Sequence, residues 1–171
     1  MRYLYFAYGM NTNTLGMSQR CPQARDLGAA RLQGWRLVFN THADIERDPK
    51  SEAWGVLWSI TDSDLASLDR LEGYPTYYDM IQVLVEQDHG TVPSISAAED
   101  EAHWAMVYIM NRRPRDYAPP PAHYWEMLTQ GYQEHGLPNS QLQEALQLAQ
   151  GDTWDEWDAW EPRSERTIKY Y

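Results

Sequence analysis

Six short segments with the composition of β-strands constrain the fold of this chain more than any other feature. Each segment is rich in aromatic or aliphatic residues and is bounded by glycine, proline or polar turn formers. The predicted strands cover residues 2–7, 29–32, 35–40, 53–60, 78–85 and 102–110. Residues 44–52 are charged and contain Pro49, so we expect a surface loop there. The main framework is therefore predicted to be a sheet.

The segment between the fourth and fifth strands changes to a helical period. Thr61 or Asp62 can cap the N-terminus, and Gly73 can end the helix as a C-cap. Its apolar stripe is Leu65, Leu68 and Leu71. Further helices are predicted over 122–135 and 138–149, with a short one capped by residues 12–14 and running through 19. This inventory indicates an α+β fold with a curved or barrel-like sheet and surrounding helices.

The charge and cysteine content exclude several classes of protein. A formal net charge of −11 at pH 7 repels phosphate backbones and anionic membranes, so we expect no nucleic-acid or membrane binding. No apolar run approaches the length of a membrane helix, and no leader sequence is recognised. The single cysteine, Cys21, cannot form an intramolecular disulfide, which fits a reducing cytoplasm.

Metal and nucleotide chemistry have no recognisable motif in the sequence. The five histidines show no paired spacing and lie near no cysteine pair, so no metal site is predicted. No P-loop, GxGxxG turn or GxSxG nucleophile elbow is present. Chemistry carried out by a carboxylate side chain is therefore the best-supported option in this sequence.

The first candidate site is the loop Tyr8-Gly9-Met10-Asn11, which follows the first strand. Gly9 and Asn11 tolerate a positive φ, so the strand is expected to break there. If a helix follows directly, exposed backbone N–H groups and the helix dipole attract a carboxylate or phosphate. The loop alone fits an ordinary turn equally well.

The second candidate is the acid Glu72, in the last turn of the predicted helix. The carbonyl end of the helix dipole raises the pKa of a carboxyl group, as proton transfer near neutral pH requires. Asp69 shares its face of the helix. A solvated pair of surface acids is the alternative. Tyr77, Tyr78 and Tyr124 are possible pocket residues, although each also fits ordinary packing.

Together these segments resemble the gamma-glutamylcyclotransferases. Residues 5–11, Tyr-Phe-Ala-Tyr-Gly-Met-Asn, are similar to the opening YFAYGSN motif of that family. Further motifs of the family follow in the same order, from about residue 3 to 149: Arg20-Cys21-Pro22, Gly34-Trp35-Arg36-Leu37-Val38-Phe39, Trp54-Gly55-Val56-Leu57, Leu68-Asp69 with Glu72-Gly73, and Gly136-Leu137-Pro138.

The resemblance implies a small mixed β-barrel and an enzyme that converts a gamma-glutamyl amine into 5-oxoproline and a free amine. It implies no metal or organic cofactor, and a small-molecule gamma-glutamyl substrate as the partner. Glu72 would be the catalytic acid and base, and backbone N–H groups of Gly9, Met10 and Asn11 would hold the glutamyl group. Tyr8 belongs to the same motif, and Tyr78 and Tyr124 match the pocket tyrosines.

Two points stay open at the level of sequence. Met10 replaces the serine of the family motif, so a non-catalytic protein that binds an anionic metabolite in the same pocket is the alternative function. The predicted domain covers residues 1–150, followed by an acidic, Trp-rich tail over 151–171. The tail either folds back on the barrel or contacts a partner, and both a monomer and a homodimer are compatible with the sequence.

Overall fold

A closed β-barrel forms the centre of the protein. The computed structural model of the chain describes residues 1–88, 102–111 and 117–151. Within these ranges the barrel has five strands, hydrogen-bonded in the order β1-β3-β2-β4-β5 and closed by a parallel contact between β1 and β5. The strands are β1 (Arg2–Ala7), β2 (Arg25–Asn40), β3 (His42–Thr61), β4 (Tyr78–Gln87) and β5 (Ala102–Met110).

Four α-helices and one short 3₁₀ helix among the described residues pack around this barrel, so the predicted α+β class is confirmed. A short 3₁₀ helix (Met10–Thr12) directly follows the loop after β1. The α-helices are α1 (Thr14–Arg20), α2 (Asp62–Glu72), α3 (Ala122–Glu134) and α4 (Asn139–Gln150). None of the described helices combines the length and apolar character needed to cross a bilayer.

The prediction of six strands and of a surface loop over residues 44–52 is wrong. The second and third predicted segments form one strand, β2, which passes through an irregularity at Gly34 with φ +77°. The supposed loop is the first half of β3, where Asp44 pairs with Val38 and is fully buried. Pro49 lies in the same irregularity, where no ladder hydrogen bond is required of it, so proline is tolerated in the strand.

Helix α2 begins and ends where the sequence predicts. The Thr61 side chain accepts from the Asp64 N–H while the Asp64 carboxylate accepts from the Thr61 N–H, which forms a capping box. Gly73 closes the helix with φ +64°. The predicted apolar stripe is wrong at Leu71, which is 51% exposed, because the last turn of α2 leaves the core and borders a cavity. Only Leu68 of the three leucines is fully buried.

Helix α3 holds the segment that follows β1 in place. A Cβ atom on Gly131 would lie 2.4 Å from Thr12 Oγ1 and 2.6 Å from the Asn13 nitrogen. Real Cβ contacts do not come this close, so only glycine lets α3 approach the 3₁₀ helix at this point. Asn13 in turn caps α1 by accepting from the Gly16 N–H.

Helix α4 is joined to β3 through one glutamine side chain. Gln141 accepts a hydrogen bond from the Trp54 N–H at 2.6 Å and donates one to the Trp54 carbonyl at 2.9 Å. It also donates to the Tyr132 hydroxyl at 2.5 Å, and that hydroxyl donates to the Tyr8 carbonyl at 3.2 Å. These hydrogen bonds connect α3, α4 and β3 to Tyr8, the first residue of the candidate loop.

Several predicted segments fall largely outside the described residues. These are the polar loop over 87–101, the proline-rich linker over 112–121 and the tail over 151–171. The domain boundary at residue 150 therefore stays a prediction, although α4 ends there.

Candidate active site

One cavity of about 650 Å³ lies where β1, the β2–β3 turn, β4, β5, α2 and α3 meet at one end of the barrel. Every site residue proposed from the sequence lines it. These residues are Tyr8, Gly9, Met10, Asn11, Glu72, Tyr78 and Tyr124. Residues that are distant in sequence are brought together here because α2 and α3 both border the end of β1.

Glu72 is a partly buried acid at the end of α2 and lies beside Asn11 in the cavity wall. The Asn11 side chain donates a hydrogen bond from Nδ2 to Glu72 Oε1 at 3.2 Å. Burial raises the pKa of Glu72 to about 7, while the Arg20 charge and the Asn11 hydrogen bond act in the opposite direction. The largest cause of the raised pKa is thus burial, which the sequence argument did not consider.

The loop after β1 needs glycine for a reason other than a positive φ. Gly9 has φ −105°, and Thr41 is the only non-glycine residue of the described ranges with a positive φ. A Cβ atom on Gly9 would lie 3.1 Å from both the Tyr124 hydroxyl and the Ala43 Cβ. A side chain at this position would therefore require Tyr124 and Ala43 to move by a few tenths of an ångström, which favours glycine.

Tyr124 and Tyr78 hold the β2–β3 turn against the loop. The Tyr124 hydroxyl accepts from the Ala43 N–H at 3.0 Å and also interacts with the backbone of Met10. The Tyr78 hydroxyl donates to the Ala43 carbonyl at 3.4 Å. Burial raises the pKa of Tyr124 to about 12 and that of Tyr78 even further, so both are neutral near pH 7.

Tyr8 contributes its ring to the cavity wall, while its hydroxyl is already bonded within the protein. It donates a hydrogen bond to the Tyr108 carbonyl at 2.7 Å. The Tyr108 hydroxyl donates to Asp69 Oδ1 at 2.6 Å, so the acid that shares a helix face with Glu72 is engaged as well. Tyr8 is therefore better suited to shape the cavity than to donate to a ligand.

Comparison with known proteins places the chain in a family. The family model described as "Gamma-glutamyl cyclotransferase, AIG2-like" matches residues 5–127. The chain belongs to this family. The gamma-glutamylcyclotransferase of Homo sapiens is 32% identical over 149 residues, which cover 80% of this chain and 73% of the human protein. The family and the cyclotransferase class of enzyme indicated by the sequence motifs are thereby confirmed.

Solved structures of cyclotransferase relatives share the fold. A gamma-glutamyl cyclotransferase structure aligns with a TM-score of 0.71 at 30% identity, covering 100% of this chain and 94% of its own. A human protein structure aligns with a TM-score of 0.70 at 31% identity, covering 99% and 94%. The small mixed barrel implied by the motifs is confirmed, with five strands in place of six.

The cyclotransferase cavity also contains residues that sequence reasoning missed. Arg20 follows the loop by one short helix, and no spacing rule connects it with Glu72. Thr41 and His42 form the tight β2–β3 turn, where Thr41 has φ +70°, a strained conformation for a β-branched residue. The missed lining residues are Tyr5, Arg20, Asn40, Thr41, His42, Ala43, Arg70, Leu71, Gly73, Tyr108 and Met110, whereas Tyr77, named from the sequence as a possible pocket residue, does line the cavity.

Two other chemistries receive no support from the described residues. No group of three or more His, Cys, Asp or Glu side chains within them is placed to hold a metal ion. Cys21 is buried, and burial raises the pKa of its thiol to about 12, which keeps it protonated and unreactive at neutral pH.

Proposed function

We propose that this protein is a gamma-glutamylcyclotransferase that cyclises a gamma-glutamyl amine or amino acid to 5-oxoproline and releases the free amine. The observation that carries the proposal is Glu72, an acid with a pKa of about 7 that lies beside the Tyr8–Asn11 loop in one cavity. A group with this pKa exchanges protons readily near neutral pH, because neither protonation state is strongly favoured.

Proton transfer is the chemical task that Glu72 is suited to perform. The substrate's α-ammonium group gives a proton to the Glu72 carboxylate, and the freed amine attacks the γ-carbonyl carbon. A C–N bond closes the five-membered lactam, and the C–N bond to the departing amine breaks. Glu72 then returns the proton to the departing nitrogen, and the ring nitrogen loses its second proton, which the released amine takes up to leave as an ammonium ion. No oxidant or reductant is required, and we expect no cofactor.

Ring closure within one molecule depends on how the glutamyl chain is folded. A cavity that holds the amine against the γ-carbonyl supplies much of the rate by orientation alone. The backbone N–H groups of Gly9, Met10 and Asn11 are suited to hold the α-carboxylate or the developing oxyanion, because the first N–H groups of a helix lack partners within it. Tyr78 and Tyr124 support the β2–β3 turn beside them.

Met10 is compatible with this role of the loop. A serine at this position would present the same backbone N–H, which in this structure interacts with the Tyr124 hydroxyl, so a bound glutamyl group would share that donor with Tyr124. The Met10 side chain is apolar and borders the cavity, so it narrows the space and removes a hydroxyl from the family motif. We therefore expect the difference from serine to alter substrate preference more than the chemical step.

The decisive experiment measures 5-oxoproline from a panel of gamma-glutamyl amino acids, peptides and amines. We expect at least one substrate to react, and Glu72→Gln to lower kcat by roughly 10²–10⁴-fold, the usual contribution of a general base. Glu126→Gln is the matched control, because Glu126 is exposed on α3 and lies outside the cavity. Full activity in Glu72→Gln, or no product from any substrate, would contradict the proposal.

A thermal-shift screen with metabolite mixtures separates this enzyme from a non-catalytic binder. A stabilising compound recovered as 5-oxoproline and amine supports the enzyme, whereas one recovered unchanged supports a binding protein that uses the same cavity. A cytoplasmic location and a monomeric or homodimeric state stay predictions from the sequence.

A further inference from the structure

Arg20, the last residue of α1, is linked to Glu72 through a single intervening side chain. Arg20 Nη1 donates a hydrogen bond to Asn11 Oδ1 at 2.6 Å. The other end of the same carboxamide, Asn11 Nδ2, donates to Glu72 Oε1 at 3.2 Å and to the Tyr5 hydroxyl at 3.0 Å. Asn11 is almost fully buried, at 6% exposure, so these partners account for both ends of its amide.

A carboxamide placed in this way has two possible orientations that differ by a half-turn. A guanidinium group has only donors, so the Asn11 atom that faces Arg20 must be the oxygen. The NH₂ group is then directed at Glu72. In the reverse orientation the amide oxygen would face the Glu72 carboxylate, and two acceptors would be in contact without a proton between them.

We propose that Arg20 is a positioning residue that acts through Asn11: it fixes the carboxamide so that an N–H is always presented to Glu72. The inference rests on the proposed role of Glu72 as acid and base. Arg20 does not itself exchange a proton in this scheme. Because Asn11 bonds Oε1 of Glu72, the other carboxylate oxygen is the one that receives the substrate's proton.

The local structure makes this reach possible for an arginine at the end of α1. A Cβ atom on Gly16 would lie 3.5 Å from Arg20 Nη1, so the guanidinium group lies back along the helix toward Asn11. Asn13 caps α1, and α3 packs against Asn13 and Thr12 through Gly131. Arg20 and Asn11 therefore belong to one short segment, residues 11–20, whose position is fixed by the contacts of Thr12 and Asn13.

Arg20 also affects Glu72 directly, through its positive charge. The Arg20 charge and the Asn11 hydrogen bond each lower the pKa of Glu72 against the effect of burial. Five tyrosines face Glu72 from the neighbouring elements, and burial raises the pKa of each. They are Tyr5, Tyr8, Tyr78, Tyr108 and Tyr124. The other ionisable groups nearby are Arg70 and His42 at the cavity, Asp44 near Tyr8 and Tyr78, and Asp69 bonded to Tyr108.

The test compares Arg20→Met and Arg20→Lys, with Arg25→Met as the control because Arg25 is exposed and lies outside the cavity. The primary measurement is the pKa of the Glu72 carboxyl group by ¹³C NMR, with the signal assigned by its absence in Glu72→Gln. We expect Arg20→Met to raise this pKa, Arg20→Lys to restore most of the original value, and Arg25→Met to leave it unchanged. This readout does not depend on activity, so an inactive wild-type protein would contradict the proposed function without affecting this test.

Kinetics then distinguish positioning from direct contact with substrate. At pH 6 we expect Arg20→Met to lower kcat roughly tenfold or more with little change in KM, since a charge-assisted hydrogen bond is lost. In an Asn11→Ala background the same substitution should cost much less, because the intermediary is gone. A Glu72 pKa that does not move, a rise in KM alone, or additive effects of the two substitutions would overturn the inference. If Arg20→Met does not fold, Arg20→Gln, which also removes the charge, replaces it in the NMR test with the same expected rise in the pKa of Glu72.

Discussion

At the residue scale, Glu72 binds its proton more tightly in the folded protein than in the unfolded chain. Its pKa is raised from an ordinary value of 4.5 to about 7 by burial. Between these two pH values the folded state holds more protons than the unfolded state, so the free energy of unfolding falls as the pH rises. Above pH 7 the buried carboxylate costs on the order of 3 kcal/mol relative to acid conditions.

Replacing Glu72 by glutamine should therefore stabilise the protein in a pH-dependent way. We expect Glu72→Gln to unfold at nearly the same denaturant concentration as wild type at pH 4.5. It should be more stable by about 2–3 kcal/mol at pH 8, because the neutral amide avoids the cost of a buried charge. Urea unfolding followed by circular dichroism at several pH values measures this difference. If the difference in stability between Glu72→Gln and wild type is the same at pH 4.5 and pH 8, then folding does not raise the pKa of Glu72.

The residues of the site were predictable to different degrees. Tyr8, Gly9 and Asn11 form a recognisable run, and Glu72 precedes a C-cap glycine, so motif order was enough to place them in one cavity. Arg20 was not predictable, because its partner Asn11 depends on how a side chain lies back along α1. The hydrogen bond of the Tyr8 hydroxyl was not predictable either, because its acceptor is a backbone carbonyl on β5.

At the scale of elements, the approach of α3 to the 3₁₀ helix determines where the loop lies. We expect Gly131→Ala to destabilise the protein by about 2–4 kcal/mol, because its Cβ would overlap Thr12 Oγ1 and the Asn13 backbone. Thermal unfolding measures the loss. The same change should lower kcat/KM by displacing Asn11 from Glu72.

A control for this substitution is available on the same helix. Gln130→Ala changes the neighbouring, exposed position, where helix propensity favours alanine, and should leave stability within about 0.5 kcal/mol of wild type. If Gly131→Ala is as stable as Gln130→Ala, then α3 and the 3₁₀ helix are not closely packed.

Helices were easier to predict than strands because their ends carry chemical signals. Thr61 and Gly73 are recognisable as the caps of α2, and the structure follows them. The charged segment 44–52 was misread because its strand is stabilised by pairing with β2, a partner not visible in local composition. The Arg36–Glu46 ion pair between the two strands explains how charged residues are accommodated there.

At the scale of the whole molecule, the described core extends to the end of α4. Helix α4 buries Leu142, Ala145 and Ala149 and ends at Gln150. We expect a chain that ends at Gly151 to fold and to keep the kcat/KM of the full chain, since Glu72, the loop after β1 and the other described lining residues all precede this point.

Circular dichroism, the 5-oxoproline assay and size-exclusion chromatography together check this prediction. Failure of the shortened chain to fold would place the domain boundary beyond residue 151. A folded chain with a lower melting temperature would indicate that residues 152–171 pack on the barrel. A change in oligomeric size would instead indicate that they contact a partner.

The side chain of Gln141 has a consequence for how this protein can change over evolutionary time. It satisfies the backbone of Trp54 and the hydroxyl of Tyr132, and Tyr132 in turn bonds the carbonyl of Tyr8. A lineage that loses the amide removes the partner of three polar atoms at two residues: the N–H and the carbonyl of Trp54, and the hydroxyl of Tyr132, which is bonded to the loop residue Tyr8. Gln141 and Tyr132 are therefore expected to be inherited as a pair, although neither lines the cavity.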